Sequence, residues 1–88
     1  MITKNNLRKH EFIGLEVEVM ESKNKSQRGL KGKIVDETQK TIKIESENKE
    51  KIIPKNGSVF KFVLPNGEKM KIIGDEIVFK PEERIRKL

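Results

Sequence analysis

The 88-residue chain has no cysteine, and its 20 Lys and Arg residues outnumber its 14 Asp and Glu residues, which gives a formal net charge of +6. This length allows one domain with a modest core, and the missing cysteine excludes disulfides, thiolate metal sites and cysteine nucleophiles. Because no apolar run reaches the length of a membrane span and the first residues lack the apolar core of a signal peptide, we expect a cytoplasmic protein with no membrane contact, whose positive charge points to a polyanionic partner.

The first part of the chain predicts a helix followed by strands. A short helix is expected over Thr3–Glu11, and Gly14 ends it. Apolar and polar side chains then alternate from Leu15 to Val19, as in a strand with one buried face. A polar loop over residues 22–28 leads into a second strand over Leu30–Glu37, and the glycines near its start permit a bulge or a sharp bend.

The rest of the chain continues with short strands and ends in a helix. Strands are expected over Thr41–Glu45, Glu50–Pro54, Ser58–Leu64, Lys69–Ile73 and Glu76–Lys80. Asn66-Gly67 is a strong hairpin signal, because a type I′ turn needs positive φ at both central residues. Pro81 is typical of a helix start. Six or seven short strands predict a small all-β antiparallel barrel, with a helical extension over residues 1–14, the barrel over 15–80 and a C-terminal helix over 81–88.

The positive charge is concentrated in two stretches. Residues 22–35 contain five cations and no acid, and residues 51–71 contain five lysines against one glutamate, whereas residues 15–21 and 36–50 are rich in acids. Clustered cations on a sheet suit RNA phosphates, provided that the two stretches lie on one side of the molecule. The predicted RNA-binding residues are Lys23, Lys25, Arg28, Lys31, Lys33, Lys51, Lys55, Lys61, Arg84 and Arg86.

The four phenylalanines do not favour recognition of RNA by base stacking. Phe60 and Phe62 share one strand face with Leu64, and we expect them in the core together with Phe12 and Phe79. Single-stranded RNA is usually read by exposed aromatic side chains. The sequence therefore predicts recognition of the backbone and shape of structured RNA.

No residue pattern indicates a protein-borne active site or metal site. His10 is the only histidine, so we expect it to pack or to form hydrogen bonds and not to hold zinc or serve a catalytic triad. Glu16 and Glu18 alternate along a strand and are expected on its solvent side. Asp36 and Glu37 are consecutive on a strand and should point to opposite faces, unlike the carboxylates of a metal-dependent nuclease centre.

Several motifs lie in order along the whole chain: His10–Leu15, Gly29–Gly32, Val35–Thr38, Lys51, Pro54–Lys55, Ser58–Phe60 and Pro81–Arg84. Together they resemble the archaeal ribonuclease P protein component 1 family. The resemblance implies an Sm-like, SH3-like β-barrel with short terminal helices. It also implies a subunit of ribonuclease P, the ribonucleoprotein endoribonuclease that removes the 5′ leader from precursor tRNA. In such an enzyme the RNA carries the catalytic centre and its Mg²⁺ ions, and this chain would bind no cofactor itself.

The same resemblance implies three partners: the ribonuclease P RNA, precursor tRNA and the zinc-binding protein component 4. In this family the N-terminal helix and an adjacent strand contact the partner protein, and the matching residues here are Leu7, Phe12, Ile13, Lys31, Lys33 and Val35. Two alternatives stay open. A KOW-type ribosomal or transcription-factor barrel would explain only the early stretch up to Val35, and a protein-only adaptor would use its lysines for solubility alone.

Overall fold

The computed structural model describes residues 7 and 10–87, and the chain forms one antiparallel sheet of six strands. The strands are β1 (Glu16–Glu21), β2 (Lys31–Glu37), β3 (Thr41–Ser46), β4 (Lys49–Pro54), β5 (Val59–Val63) and β6 (Lys69–Ile73). Short 3₁₀ turns cover Lys25–Gln27 and Gly74–Ile77, and helix α1 covers Pro81–Lys87. The strand order β4-β3-β2-β1-β5-β6 places β2 on one side of β1 and β5 on the other.

This architecture confirms the predicted all-β fold with six antiparallel strands, although the sheet does not close. Within the described part of the chain, β4 pairs only with β3 and β6 pairs only with β5. The predicted strand over Glu76–Lys80 is wrong, because Gly74–Ile77 form a 3₁₀ turn that places Ile77 in the core. Helix α1 begins at Pro81, as predicted. Most of the predicted helix over Thr3–Glu11 lies outside the described residues.

Close backbone contacts explain why the chain turns at Gly74. The N–H of Gly74 donates to the carbonyl of Ser58 over 2.8 Å. A Cβ atom at Gly74 would overlap the backbone carbonyl of Lys55. The missing side chain therefore lets the end of β6 pack directly on the turn between β4 and β5, and the 3₁₀ turn that follows directs Ile77 inward.

The inner face of the sheet carries the hydrophobic core. Alternating positions of the strands and the residues beside them supply it, and its members include Val17, Val19, Ile34, Ile42, Ile44, Ile53, Phe60, Phe62, Leu64 and Ile72. Phe12 joins them from the segment before β1, with its ring centroid 4.7 Å from that of Phe62. The prediction that Phe12, Phe60 and Phe62 are buried is confirmed, whereas Phe79 is only half-buried.

Two features of β2 explain how the sheet curls. Gly32 faces inward, where a Cβ atom would overlap the carbonyl oxygen of Glu45 and lie 2.7 Å from Cγ2 of Ile44. The missing side chain therefore allows β3 to approach β2 closely. The pairing with β3 then shifts just after Ile34. This bulge lets both Ile34 and Glu37 face inward, although regular alternation would place them on opposite faces.

The polar loop between β1 and β2 is anchored to the edge of the sheet. The side-chain amide of Gln27 donates to the carbonyl of Ile52 in β4 over 3.1 Å. The hydroxyl of Ser22 donates to Oε1 of the same Gln27 over 3.1 Å. The aliphatic stem of Lys23 packs against Gly57 in the turn between β4 and β5. The loop therefore bridges β1 and β4 where the strands themselves do not pair.

Candidate nucleic-acid interface

The outer face of the sheet brings the two cationic stretches together. Directly opposed residues of antiparallel strands point to the same face of a sheet. Across β2, β1, β5 and β6, the first row of opposed residues is Lys31, Glu18, Lys61 and Lys71. Across the same strands, the next row is Lys33, Glu16, Val63 and Lys69. We call the residues of these two rows the lysine face.

The lysine face surrounds a shallow depression and is positively charged. Most of its residues line this depression, and Val17 and Gly32 form its floor. The side chain of Val17 points inward and is 2% exposed, so the floor is made of backbone. Five lysines and two glutamates leave the face with a formal charge of +3. The condition that the two stretches share one side of the molecule is therefore met by the lysines of β2, β5 and β6.

One ion pair lies within the lysine face. Nζ of Lys61 is 3.3 Å from Oε1 of Glu18, and the side chains are 32% and 24% exposed. Partly exposed pairs of this kind contribute at most about 1 kcal/mol to stability, so a phosphate group can compete for Lys61. Among the described residues, the other four lysines of the face have no carboxylate within ion-pair distance. Their charges are available to a ligand.

Acidic residues limit the lysine face on the side of β3 and β4. Glu45 lies opposite Lys33, and Glu50 lies opposite Glu45. Glu50 also forms a long ion pair with Lys43, with Nζ 3.8 Å from Oε1. A polyanion is therefore attracted to the part of the outer face formed by β2, β1, β5 and β6. It is repelled by the part formed by β3 and β4.

The predicted cations of the loop before β2 and of β4 lie outside the two rows of the lysine face. The loop before β2 contains Lys23, Lys25 and Arg28. Arg28 pairs with Glu21 over 2.8 Å, so part of the charge of this loop is neutralised. Lys51 lies opposite the buried Ile44, and this register places it on the inner side of the sheet at the exposed edge strand β4. Lys51 therefore does not belong to the lysine face.

The prediction that Lys55 binds RNA is wrong for this fold. Its side chain is fully buried. Its ammonium group donates to Oε2 of Glu37 over 2.9 Å and to the carbonyl of Phe79 over 3.1 Å. In the sequence, a lysine beside a turn and among other cations resembles a surface residue. Its carboxylate partner belongs to β2, far away along the chain, and only the fold brings the two together.

Comparisons with known proteins identify the family of the chain. The family of ribonuclease P/MRP subunit p29 matches residues 5–87. The chain belongs to this family. Ribonuclease P protein component 1 of Methanosphaera stadtmanae is 52% identical to it over 99% of this chain and 94% of its own length. The protein of the same name from Methanocaldococcus jannaschii is 50% identical over 99% of this chain and 92% of its own length.

A solved structure shares the fold as well as the sequence. It is described as Mth11, a homologue of human RNase P protein Rpp29, and it is 43% identical with a TM-score of 0.65. The match covers 86% of this chain and 99% of that chain. Membership of the family makes the chain a protein subunit of the endoribonuclease ribonuclease P and implies a complex with the ribonuclease P RNA. A KOW-type barrel would explain only the early strands, whereas the family match continues to residue 87.

The predicted partner-protein residues of this ribonuclease P subunit do not all reach the surface. Leu7 and Phe12 are fully buried in the core. Their predicted role as direct contacts is therefore wrong for this conformation, because their side chains already pack against the chain's own sheet. Ile13 is 47% exposed. The N–H of Gly14 donates to the carbonyl of Ile34 over 2.8 Å, which holds Ile13 beside β2.

The remaining predicted partner residues lie in β2 itself. Lys31 and Lys33 point outward as part of the lysine face. Val35 is half-buried at the bulge of the strand. Among the apolar residues predicted to contact the partner protein, those with exposed surface are therefore Ile13 and Val35.

The sequence prediction omitted two of the five lysines of the lysine face, Lys69 and Lys71. The signal was present, because both belong to the cationic stretch over residues 51–71. Their position next to Lys61, however, depends on the pairing of β5 with β6. The side chains of Arg84 and Arg86 lie outside the described part of the structure, so their predicted RNA contacts stay predictions.

The described residues also contain one histidine, His10, and several carboxylates outside the lysine face. Within them, no group of three or more His, Asp or Glu side chains is arranged to hold a metal ion. His10 is exposed, with Nδ1 3.1 Å from the carbonyl oxygen of Glu11. In the same part of the chain, no helix is long and apolar enough to cross a membrane. The lysine face is thus the main candidate site.

Proposed function

We propose that the lysine face binds the RNA of ribonuclease P, supports its fold and raises the affinity of the enzyme for precursor tRNA. The observation that carries this proposal is the strand register, which brings lysines of β2, β5 and β6 onto one side of the sheet. Each ammonium group that contacts a phosphate releases condensed counterions, which favours binding without reading the base sequence.

The burial of three of the four aromatic side chains supports recognition of RNA by backbone and shape. Phe12, Phe60 and Phe62 are fully buried and cannot stack on bases. Lysine is a point charge that gives little base specificity. We therefore propose that the target is a folded region of the RNA and not an exposed loop with splayed bases.

We also propose that the RNA performs the cleavage and holds the Mg²⁺ ions, in the cytoplasm. Mg²⁺ is held mainly by carboxylate and phosphate oxygens. In the lysine face the two carboxylates lie among five lysines, whose charge disfavours a divalent cation. In this proposal the chain contributes binding and the RNA contributes chemistry.

The second proposed partner is the zinc-binding protein component 4. We propose that it docks beside β2, on the surface that includes Ile13 and Val35. Support comes from the exposure of Ile13, 47%, in a segment that a backbone hydrogen bond fixes against β2. This surface lies next to the lysine face, so RNA and component 4 would approach β2 from neighbouring directions.

The RNA-binding proposal is tested by charge reversal. The variant Lys31→Glu with Lys33→Glu changes two exposed side chains of β2, and we expect it to bind ribonuclease P RNA at least tenfold more weakly in a fluorescence anisotropy titration. The matched control is Lys40→Glu with Lys49→Glu, which changes the net charge equally at two exposed positions outside the face. It should retain most of the affinity.

Circular dichroism would establish that both variants are folded. Equal affinities of the folded test variant and the wild-type chain would remove the lysine face from the RNA site. Equal weakening by both variants would mean that only net charge matters. Binding that does not respond to salt would favour the protein-only adaptor. Reconstituted cleavage of precursor tRNA, with and without the chain, would then test its contribution to the enzyme.

A further inference from the structure

We infer that the lysine face receives double-stranded RNA across its minor groove, and that Glu16 and Glu18 distinguish RNA from DNA by accepting hydrogen bonds from ribose 2′-hydroxyl groups. This inference rests on the proposed function, because it requires the lysine face to bind RNA. It adds that the bound RNA is double-stranded and that two glutamates determine the preference for RNA over DNA.

Four of the five lysines of the face form two groups, and the carboxylates lie between these groups. Lys31 and Lys33 lie in β2, whereas Lys69 and Lys71 lie in β6. Three strand spacings separate β2 from β6, which corresponds to about 14 Å. A single phosphate backbone that runs along β2 cannot also contact the lysines of β6. Two backbones, one on each side of a groove, match the spacing of the charges.

Each lysine group also has the arrangement needed to follow one strand of nucleic acid. Lys31 and Lys33 are alternate residues of one strand, so they lie about 6.6 Å apart along it. Lys69 and Lys71 are arranged in the same way in β6. Each group can therefore contact neighbouring phosphates of one backbone, while Lys61 lies between the groups and is paired with Glu18.

The carboxylates need a different ligand group from the lysines. An ionised glutamate only accepts hydrogen bonds, and a phosphate group between the lysine groups would be repelled by it. The ribose 2′-hydroxyl is a donor, and the wide, shallow minor groove of an A-form helix displays these hydroxyls between its two backbones. The order lysine, glutamate, lysine across the face thus matches the order phosphate, hydroxyl, phosphate across that groove.

Both glutamates have acceptor oxygens available. Glu16 is exposed and, among the described residues, has no ion-pair partner. Glu18 contacts Lys61 through Oε1 over 3.3 Å, which leaves its other oxygen for a ligand. Both residues line the depression at the centre of the lysine face. B-form DNA offers no 2′-hydroxyl there, and its minor groove, about 6 Å wide, is too narrow for the two lysine groups.

A simpler role for the two glutamates would be to reduce repulsion between the lysines. This role predicts that removal of the carboxylates tightens the binding of every polyanion to the same degree. The inferred role predicts that the ratio of affinities changes. A ligand without the donor, but with the same A-form shape, separates the two possibilities.

The experiment compares the full chain with its Glu16→Ala, Glu18→Ala variant on three probes of one sequence. The probes are an RNA duplex, the same duplex with 2′-O-methyl riboses and the corresponding DNA duplex. We expect the wild-type chain to prefer the RNA duplex over the methylated duplex by about tenfold, the lower end for a hydrogen bond to a charged group. The variant should bind both duplexes with nearly equal affinity.

The matched control is Glu45→Ala with Glu50→Ala, which removes two carboxylates of the outer face beyond β2. It should tighten binding in general and keep the preference for the 2′-hydroxyl. The inference is overturned if the wild-type chain does not distinguish the two RNA duplexes, if the Glu16, Glu18 variant keeps the wild-type ratio, or if only single-stranded RNA binds. Any of these results leaves the proposed function intact if Lys31→Glu with Lys33→Glu weakens RNA binding in the same assay. If this variant binds RNA as tightly as the wild-type chain, the proposed function itself is wrong.

Discussion

The ammonium nitrogen of Lys55 lies 2.9 Å from Oε2 of Glu37, and the two side chains are 0% and 1% exposed. The same ammonium group donates to the carbonyl of Phe79 over 3.1 Å. This buried pair connects the end of β2, the turn after β4 and the segment that leads into α1. Three parts of the chain that are distant in sequence are thus held by one lysine.

We expect Lys55→Met to lower the free energy of unfolding by about 3–5 kcal/mol, because it leaves the Glu37 carboxylate buried without its main partner. Urea denaturation followed by circular dichroism measures this change. The control is the double variant Lys55→Met, Glu37→Leu, which removes both charges and should recover most of the lost stability. If the double variant is no more stable than Lys55→Met, the loss does not come from an unpaired charge.

The salt dependence of RNA binding tests the two lysines that the sequence prediction omitted. If the five lysines of the face each neutralise one phosphate, the plot of log affinity against log salt concentration should have a slope of about −3.5 to −4.5. The variant Lys69→Gln with Lys71→Gln should make this slope shallower by about 1.4 to 1.8. An unchanged slope would show that β6 does not contact the RNA. Lys40→Gln with Lys49→Gln is the control and should keep the wild-type slope.

The close approach of β3 to β2 at Gly32 predicts a sensitive position. Gly32→Ala would place a Cβ atom against the carbonyl of Glu45 and 2.7 Å from Cγ2 of Ile44, so β3 must move away. We expect a loss of about 1–3 kcal/mol in the free energy of unfolding, as for other overpacked positions. Lys33→Ala, the next residue but on the outer face, should change stability by no more than about 0.5 kcal/mol. Similar losses for the two variants would contradict the predicted steric cause.

Much of the fold follows from local patterns in the sequence. The alternation in Thr41–Glu45 and Ser58–Leu64 marks strands whose inner residues are buried, and Pro81 marks the start of a helix. The strand expected over Glu76–Lys80 failed because Gly74 packs on the turn between β4 and β5. This is a contact between distant segments, and local alternation contains no information about it.

The site was harder to predict than the fold, because charge in the sequence does not specify a side of the sheet. Lys31 and Lys61 lie on the lysine face, but Lys51 lies on the other side of the sheet and Lys55 is buried. Strand pairing decides these positions, since it fixes which residues lie opposite each other. The glutamates of β1 were expected only to be solvated, and the register shows that they lie between the lysine groups.

The segment before β1 contains a core residue, Phe12, and an exposed residue, Ile13. We expect substitutions at these two positions to have different effects. Ile13→Asp changes a side chain that is 47% exposed. It should lower the free energy of unfolding by only about 1 kcal/mol, because about half of the side chain is exposed already. In calorimetric titrations with purified protein component 4, it should weaken binding by about tenfold, because an apolar contact is replaced by a charge that must be desolvated.

Phe12→Ala is the contrasting variant. The ring of Phe12 packs 4.7 Å from that of Phe62, and its removal should lower the free energy of unfolding by about 3–5 kcal/mol. Unchanged affinity of folded Ile13→Asp would place component 4 elsewhere on the chain.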